Sequence, residues 1–547
     1  MKLSRRKLYS RLIGFIFFYI RKIPYVRNKI ENELDKMKKF IVKTIHKYDT
    51  DKNFIKFLPE NPIDFDEIIK ISEKYELMSS FNEKQISGAI YTLHKDDEHI
   101  KLLLKIFESY AYSNPLHPDI FPGCRRMESE VIKIVSNLFH GDDNVRGVMT
   151  SGGTESIMLA MLAYRNLAYS KGIKDPEMII PITAHAAFDK VISFLLSFIC
   201  FYIKLLNYSN NVGLIQASHL FNIRLKHVNV LTDNRVNVNE MRKAISNNTC
   251  ALVCSAPNFP SGTIDDIEKV AKIGERFGIP VHVDACLGGF LIVFMEECGF
   301  PLPLFDFRLQ GVTSISCDTH KYGYAPKGSS VILYRDKNYL HYQYSCIPEW
   351  TGGIYATPTL AGDIFILCNN TLVFGSRCGM SIALAWATLL YFGRSRYLER
   401  TKAIITCART IANAISGISN EVMIKFNFRL KLLGSPDVSV VAFTSDIFNI
   451  YALADQMASF GWNLNSLQNP AAIHICVTYN TAIFNAADDF IRDLKKVAAN
   501  LMVNPSDGNK SSTASIYGLA ASIPDKSLVS DVAYMYLDSC YEMPFSE

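Results

Sequence analysis

An α/β fold built on a mostly parallel sheet is what this sequence predicts, and three observations predict it. From about Tyr91 to Gly393, short Val/Ile-rich runs alternate with stretches of helical character, the pattern of strands joined by crossover helices. Two of those runs end on reactive side chains. Val281-His282-Val283-Asp284 closes on a carboxylate, and Ser314-Ile315-Ser316-Cys317-Asp318-Thr319-His320-Lys321 closes on a His-Lys pair before a Gly/Pro-rich turn. From about residue 395 the pattern changes to a long helix followed by shorter runs, a second and smaller α+β unit.

Taken in order, residues 1–90 read as basic, helical and charged, 91–395 as the catalytic domain and 396–547 as the small domain. Lys2, Arg5, Arg6, Lys7 and Arg11 precede the apolar run Leu12 to Ile20, and Arg21, Lys22, Arg27 and Lys29 follow it. That run is far shorter than the roughly 20 residues a spanning helix needs. An interfacial anchor, a short signal segment and a docked amphipathic helix compete; with no small-residue cleavage site after it, membrane-surface attachment is the reading adopted. Glu31 to Lys47 reads as a mixed-charge helix. Gly147 to Thr150 is a strand with a helix from Thr154, Ala251 to Ser255 a strand with a helix from Asp265, and Ile279 to Asp284 a strand before a glycine-containing turn. In the small unit Val438 to Thr444 and Ala472 to Val477 are strands, with a helix near Tyr451 to Phe460 between them.

Composition narrows the function classes. Of 547 residues, 49% are hydrophobic and 20% charged, enough for a sizeable core. A formal charge of +5 is small for this length, and no basic stripe interleaved with aromatics appears, which argues against nucleic acid as a partner. Thirteen cysteines are scattered without a CxxC pair. No zinc pattern or disulfide framework emerges, so the expectation is a reducing compartment, buried free thiols and no metal.

The candidate chemistry lies at the ends of the apolar runs. A lysine delivered to a strand end, such as Lys321, forms an imine with an aldehyde cofactor once desolvation and neighbours lower its pKa. An aspartate such as Asp284, paired with that lysine, is the partner that pyridoxal phosphate requires, because the acid keeps the pyridinium nitrogen protonated. Ser151-Gly152-Gly153-Thr154 sits between a strand and a helix start, where free N–H groups and the helix dipole bind an anion such as the cofactor phosphate. His185 is flanked by small residues that leave room for a flat ring above an imidazole, and Asn114 to Asp119 is a proline-punctuated loop suited to a substrate wall.

These motifs resemble a known family. SGGTES, TAHAAFDK, VHVDACLGGF, DTHKYGYAPKGSS, NPLHPDIFPG and GGIYATPT are similar to those of the sphingosine-1-phosphate lyases, fold-type I pyridoxal-phosphate enzymes related to the group II decarboxylases. The likeness runs from about residue 21 to 540. It implies that Lys321 is the Schiff-base lysine, Asp284 the pyridinium partner and His185 the stacking residue. Gly153, Thr154 and His320 then fall at phosphate-binding positions. Tyr91, His117 and Tyr355 fall near the substrate, for proton transfer and phosphate recognition, and Lys327 is a second lysine close to the cofactor. Which tyrosine is the base stays open among Tyr91, Tyr355 and Tyr324. The implied reaction is retro-aldol cleavage of a phosphorylated sphingoid base to a long-chain aldehyde and phosphoethanolamine, by a homodimer at the endoplasmic reticulum membrane with its catalytic domain facing the cytosol. The alternatives are an amino-acid decarboxylase with the same Lys/Asp pair, or a catalytically impaired membrane-associated homologue.

The third reading comes from two departures from the family pattern. Val191 to Gln216 separates Asp189-Lys190 from Ala217, and Asp363 to about Gly375 splits an Ala-Gly and Ser-Arg junction. We hypothesise that one or both are retained introns, since deleting Val191–Gln216 restores a family-like Asp189-Lys190-Ala217 junction. Sequencing of the mature transcript should then show it without them; a message carrying both segments in full rules the hypothesis out.

Overall fold

Seven strands form the central sheet of the computed structural model: β1 (Arg146–Thr150), β2 (Glu177–Pro181), β3 (Arg224–Val228), β4 (Thr249–Ser255), β5 (Val281–Asp284), β6 (Val312–Cys317) and β7 (Ser330–Tyr334). Their spatial order is β1-β7-β6-β5-β4-β2-β3. The structure describes residues 23–49, 55–78, 82–92, 96–189, 222–348, 351, 355–359, 376–421, 430–503 and 526–541. Leu12–Ile20 and the segments 191–216 and 363–375 lie outside them.

The pairs β2·β3, β2·β4, β4·β5 and β5·β6 are parallel, as the alternation of runs predicts. Strand β7 is antiparallel to both β6 and β1. Two reversals restore direction, so β1 points the same way as β6. The C-terminal ends of β1, β5 and β6 therefore share one sheet edge, where open α/β sheets present their ligand sites. Strands β4 to β7 are buried along their whole length, because helices cover both faces; hence they read as continuous apolar runs rather than alternating ones.

The helix after β1 spans Gly153–Ser170 and buries Ile157, Leu159, Met161 and Tyr164 among others. The one after β4 spans Ile267–Phe277, with the Asp266 side chain accepting from Lys269 N at its start and left-handed Gly278 at its end, both favoured cap chemistries. The long helix expected from about 395 begins earlier, at Gly379, and runs to Glu421. It is kinked rather than ended at Gly393, whose φ of 55° is non-helical. Glycine reads as a stop signal in sequence, but here the apolar face continues on both sides of it.

The small sheet comprises β10 (Leu430–Leu432), β11 (Val440–Ser445), β12 (Asn465–Leu467) and β13 (Ala472–Cys476), in the order β10-β11-β13-β12. A two-stranded ribbon, β8 (Ser345–Ile347) with β9 (Tyr355–Thr357), precedes it in the chain. Near the N-terminus the helix Pro24–Ile45 packs on the helix Lys526–Tyr541, and His46 Nε2 lies 2.9 Å from Ser539 O. No helix among the described residues is long and apolar enough to cross a membrane.

The two sheets meet through specific contacts. The buried Tyr322 hydroxyl lies 2.6 Å from Val477 O and 2.7 Å from Ser439 Oγ, which ties the turn after Lys321 to the small domain. Gly262 has a φ of +70°, and a Cβ added there would stand 2.6 Å from Val440 O. Gly262→Ala combines a left-handed backbone with a backbone clash, a loss of about 1–3 kcal/mol. A thermal melt should show a clearly lowered Tm, and an unchanged Tm would mean that the domains do not approach at this glycine.

Candidate active site

The shared edge brings three segments of the sequence together. Thr150 at the end of β1 leads through Ser151 and Gly152 into the helix at Gly153. That start is pinned by Thr150 Oγ1 to Ser156 Oγ at 2.7 Å and by Ser156 Oγ to Ser330 Oγ at 3.0 Å. Glu155 Oε2 reaches back to accept from both N and Oγ of Ser151, each at 2.7 Å. A Cβ on Gly153 would fall 2.7 Å from Asp318 Oδ1 and 2.8 Å from Cys286 Sγ. Only glycine lets this helix start lie so close to the ends of β5 and β6. A Cβ on Gly152 would stand 3.7 Å from His320 Cε1, so the turn also abuts the His-Lys motif.

Strand β5 delivers Asp284, which is 7% exposed. Among the described residues, both hydrogen bonds on its carboxylate, from Cys286 N at 3.1 Å and Ser316 Oγ at 3.4 Å, fall on Oδ1, leaving Oδ2 for a ligand. Strand β6 delivers Asp318 and, one turn later, Lys321. Lys321 Nζ sits 2.8 Å from Asp318 Oδ2, and His320 Nε2 lies 3.7 Å from the same oxygen. Asp318 is only 2% exposed, and its Oδ1 has no hydrogen-bond partner among the described residues.

This arrangement corrects one expectation. Burial pushes the Lys321 amine down, but Asp318, aided by Cys286 and Asp284, outweighs it and holds the amine above the ordinary lysine range. The expectation had desolvation and neighbours both lowering the amine, but the carboxylate three residues upstream acts in the opposite sense and prevails. Lys327 is the depressed lysine, through burial first and then the Lys321 charge. Burial also pushes His320 down, and its Nδ1 lies 2.5 Å from Ser329 O.

The remaining candidates divide. Tyr91 joins the cluster: its ring meets Tyr322 edge-on at 4.8 Å, and Lys327 Nζ lies 5.0 Å from its centroid. Burial, then Cys476 and Asp318, raise its phenol well above the usual range, so Tyr91 keeps its proton near neutral pH. Tyr324 turns away, stacking on Tyr397 at 5.8 Å beneath the Arg400 guanidinium at 4.7 Å; it is removed as a candidate base. His185 is exposed on the loop after β2, and its Nδ1 accepts from Ala187 N at 3.1 Å, which places the proton of the neutral ring on Nε2. His117 is exposed in a turn closed by its own N–H to Asn114 O at 3.1 Å. No contact joins it to Lys321 among the described residues. Tyr355 opens β9 with its backbone paired to Ile347; its side chain lies outside the described residues. Thr154 occupies the first turn beside Gly153.

Pyridoxal phosphate fits the residues present. An amine, an aspartate with one carboxylate oxygen left over, an orphaned buried acceptor and a helix start held open by glycine converge at one edge. Asp318 is the member that sequence reasoning missed. Its signal was available in the acid directly preceding Thr319-His320-Lys321, at the end of a run whose every residue is buried.

The Pyridoxal-dependent decarboxylase conserved domain family matches residues 90–434. The chain is 41% identical to Sphingosine-1-phosphate lyase 1 of Rattus norvegicus over 536 residues, covering 98% of this chain and 85% of that protein. It is 36% identical to the Sphingosine-1-phosphate lyase of Saccharomyces cerevisiae over 537 residues, 96% of this chain and 82% of that one. Among solved structures, the sphingosine-1-phosphate lyase of Burkholderia pseudomallei aligns with a TM-score of 0.70 at 32% identity, over 86% of this chain and 98% of that one. Glutamate decarboxylase of Lactobacillus brevis aligns at 0.62 and 19% identity, over 84% of this chain and 98% of that one, a likeness of fold alone.

The electrostatics predict a measurable change in the cofactor-free protein. Asp318→Asn removes the anion that raises Lys321, so the pKa of the amine falls and its neutral fraction at a fixed pH rises. The rate of Lys321 modification by an amine-specific reagent, followed against pH by peptide mass spectrometry, should inflect at lower pH in the variant. Coincident profiles would show that Asp318 does not set the charge of this lysine.

Proposed function

The chain belongs to the sphingosine-1-phosphate lyase family, and from that premise we propose how its residues divide the work of the reaction. It is a pyridoxal-phosphate-dependent carbon–carbon lyase of sphingolipid catabolism, cleaving sphingosine 1-phosphate. One observation carries this reading: Lys321, Asp284 and the Gly152-Gly153 turn meet in a chain that is alike to these lyases over nearly its whole length. Decarboxylases share the fold at far lower identity.

When bound, pyridoxal phosphate supplies an electron sink for the carbanion left at C2 of the substrate as the C2–C3 bond breaks. Lys321 is the amine that would hold the cofactor, and Asp318 sets the charge of that amine. Asp284 would hold the ring nitrogen through Oδ2 and keep its proton in place. The first-turn N–H groups at Gly153 and Thr154, with His320 alongside, receive the phosphate. His185 would stack on the ring. Tyr91, whose Oη retains its proton, serves as a proton donor, which leaves Tyr355 and His117 for the base and substrate-phosphate roles.

The proposal extends to assembly and place. The helix Phe65–Leu77 buries none of its residues, with Phe65 74% and Leu77 83% exposed. Such a face supports a homodimer in which the partner covers it. The basic residues flanking Leu12–Ile20 support attachment to a membrane surface, with the endoplasmic reticulum as the site and the catalytic domain facing the cytosol.

The test is product analysis. Purified protein with pyridoxal phosphate and sphingosine 1-phosphate should release a long-chain aldehyde and phosphoethanolamine. Lys321→Ala should abolish turnover, and Tyr91→Phe should lower kcat by about 10²–10⁴-fold, the usual worth of a general acid. Carbon dioxide from amino acids without aldehyde from the phosphorylated base would overturn the reading.

A further inference from the structure

Behind Asp284 lies a continuous line of buried polar side chains that the roles above do not use. It is built by strand register. His282 and Asp284 occupy alternate positions of β5, and Ser314 and Ser316 alternate positions of β6; the pairing sets His282 against Ser314 and Asp284 against Ser316. All four therefore lie on one face of the sheet. A register shift at Val281/His282 leaves Thr313 out of the ladder, and Tyr164, from the helix on this face, reaches Thr313 Oγ1 at 2.7 Å and Ser314 Oγ at 2.5 Å.

The protons of this line have one self-consistent direction. The Tyr164 hydroxyl donates to Ser314 Oγ. Ser314, having accepted, gives its own proton to His282 Nδ1 at 2.8 Å. His282 then carries its proton on Nε2 and donates to Ser316 Oγ at 3.3 Å. Ser316 donates in turn to Asp284 Oδ1 at 3.4 Å. His282 and the serines are fully buried, and burial pushes the histidine down to about 4, so the ring stays neutral and relays polarity rather than charge. Every link ends as a donor toward the carboxylate, which fixes Asp284 Oδ1 as an acceptor. His282 also meets the Phe188 ring edge-on at 6.2 Å, and Phe188 belongs to the loop that carries His185.

We infer that Tyr164, Ser314, His282 and Ser316 form a positioning relay that orients the Asp284 carboxylate and couples it to the His185 loop. Neither His282 nor the serines touch the reacting atoms, so they act through Asp284, and the inference rests on Asp284 being the ring-nitrogen partner. Ser316 is the side chain to test, because among the described residues it alone joins His282 to the carboxylate.

The experiment measures pyridoxal-phosphate affinity of the apoenzyme by fluorescence titration, together with Tm and steady-state kinetics, for Ser316→Ala, Ser316→Thr, Tyr164→Phe and Asp284→Asn. Ser316→Ala should weaken cofactor binding about tenfold, the size expected for one hydrogen bond to a charged acceptor. It should also lower kcat with little change in KM. Ser316→Thr should restore both at a wild-type Tm, and Tyr164→Phe should shift affinity in the same direction but less. If Asp284→Asn weakens cofactor binding while Ser316→Ala binds as tightly as wild type, the relay is overturned and the role of Asp284 stands. If Asp284→Asn itself leaves affinity unchanged, the reading of Asp284 fails and the relay falls with it. Loss in Ser316→Ala that the threonine does not rescue would mean a packing role and would also overturn it.

Discussion

The Asp318 carboxylate is buried where an unpaired charge would cost several kcal/mol, and the site is arranged around meeting that requirement. Lys321 supplies the counter-charge at 2.8 Å, and His320 stands at 3.7 Å. The helix beginning at Gly153 brings its positive end to the same place, at a distance only glycine permits. One oxygen remains without a donor among the described residues. A charge balance so close makes the protonation state of the lysine dependent on its neighbours.

Sheet topology explains why these groups meet at all. Residues near 150, 284 and 318 are distant in the chain, but the double reversal through β7 sets β1 in the same direction as β5 and β6. Each strand ends on a reactive side chain or a glycine turn at the same edge. The small domain closes the arrangement by holding the Tyr322 hydroxyl. The turn that follows Lys321 is thus fixed to both domains, while Tyr324, two residues on, turns into the aromatic core at a φ of 62°.

Much of this was legible in the sequence, for physical reasons. Strand runs buried on both faces are unmistakable when they end on Asp284 or on His320-Lys321, because nothing in an apolar core calls for those residues. The parallel sheet follows from the alternation of runs. What escaped was of two kinds. Charge coupling between residues three apart, Asp318 and Lys321, reversed the expected shift of the lysine, since its sign depends on geometry that a run of letters does not give. Cross-strand partnership was also hidden: His282 reads as one more residue of a β run until register sets Ser314 and Ser316 opposite its own strand. The kink at Gly393 stands apart from both: there a local stop signal was overridden by an apolar face that continues past it.

The account turns on which lysine carries the cofactor, and two lie close together, one raised and one depressed. Reduction of the pyridoxal-phosphate-loaded protein with borohydride, followed by peptide mass mapping, reads this directly. The pyridoxyl group should be found on Lys321. Finding it on Lys327, or on no lysine of this segment, would contradict the site described and the roles assigned to Asp318 and Asp284 around it.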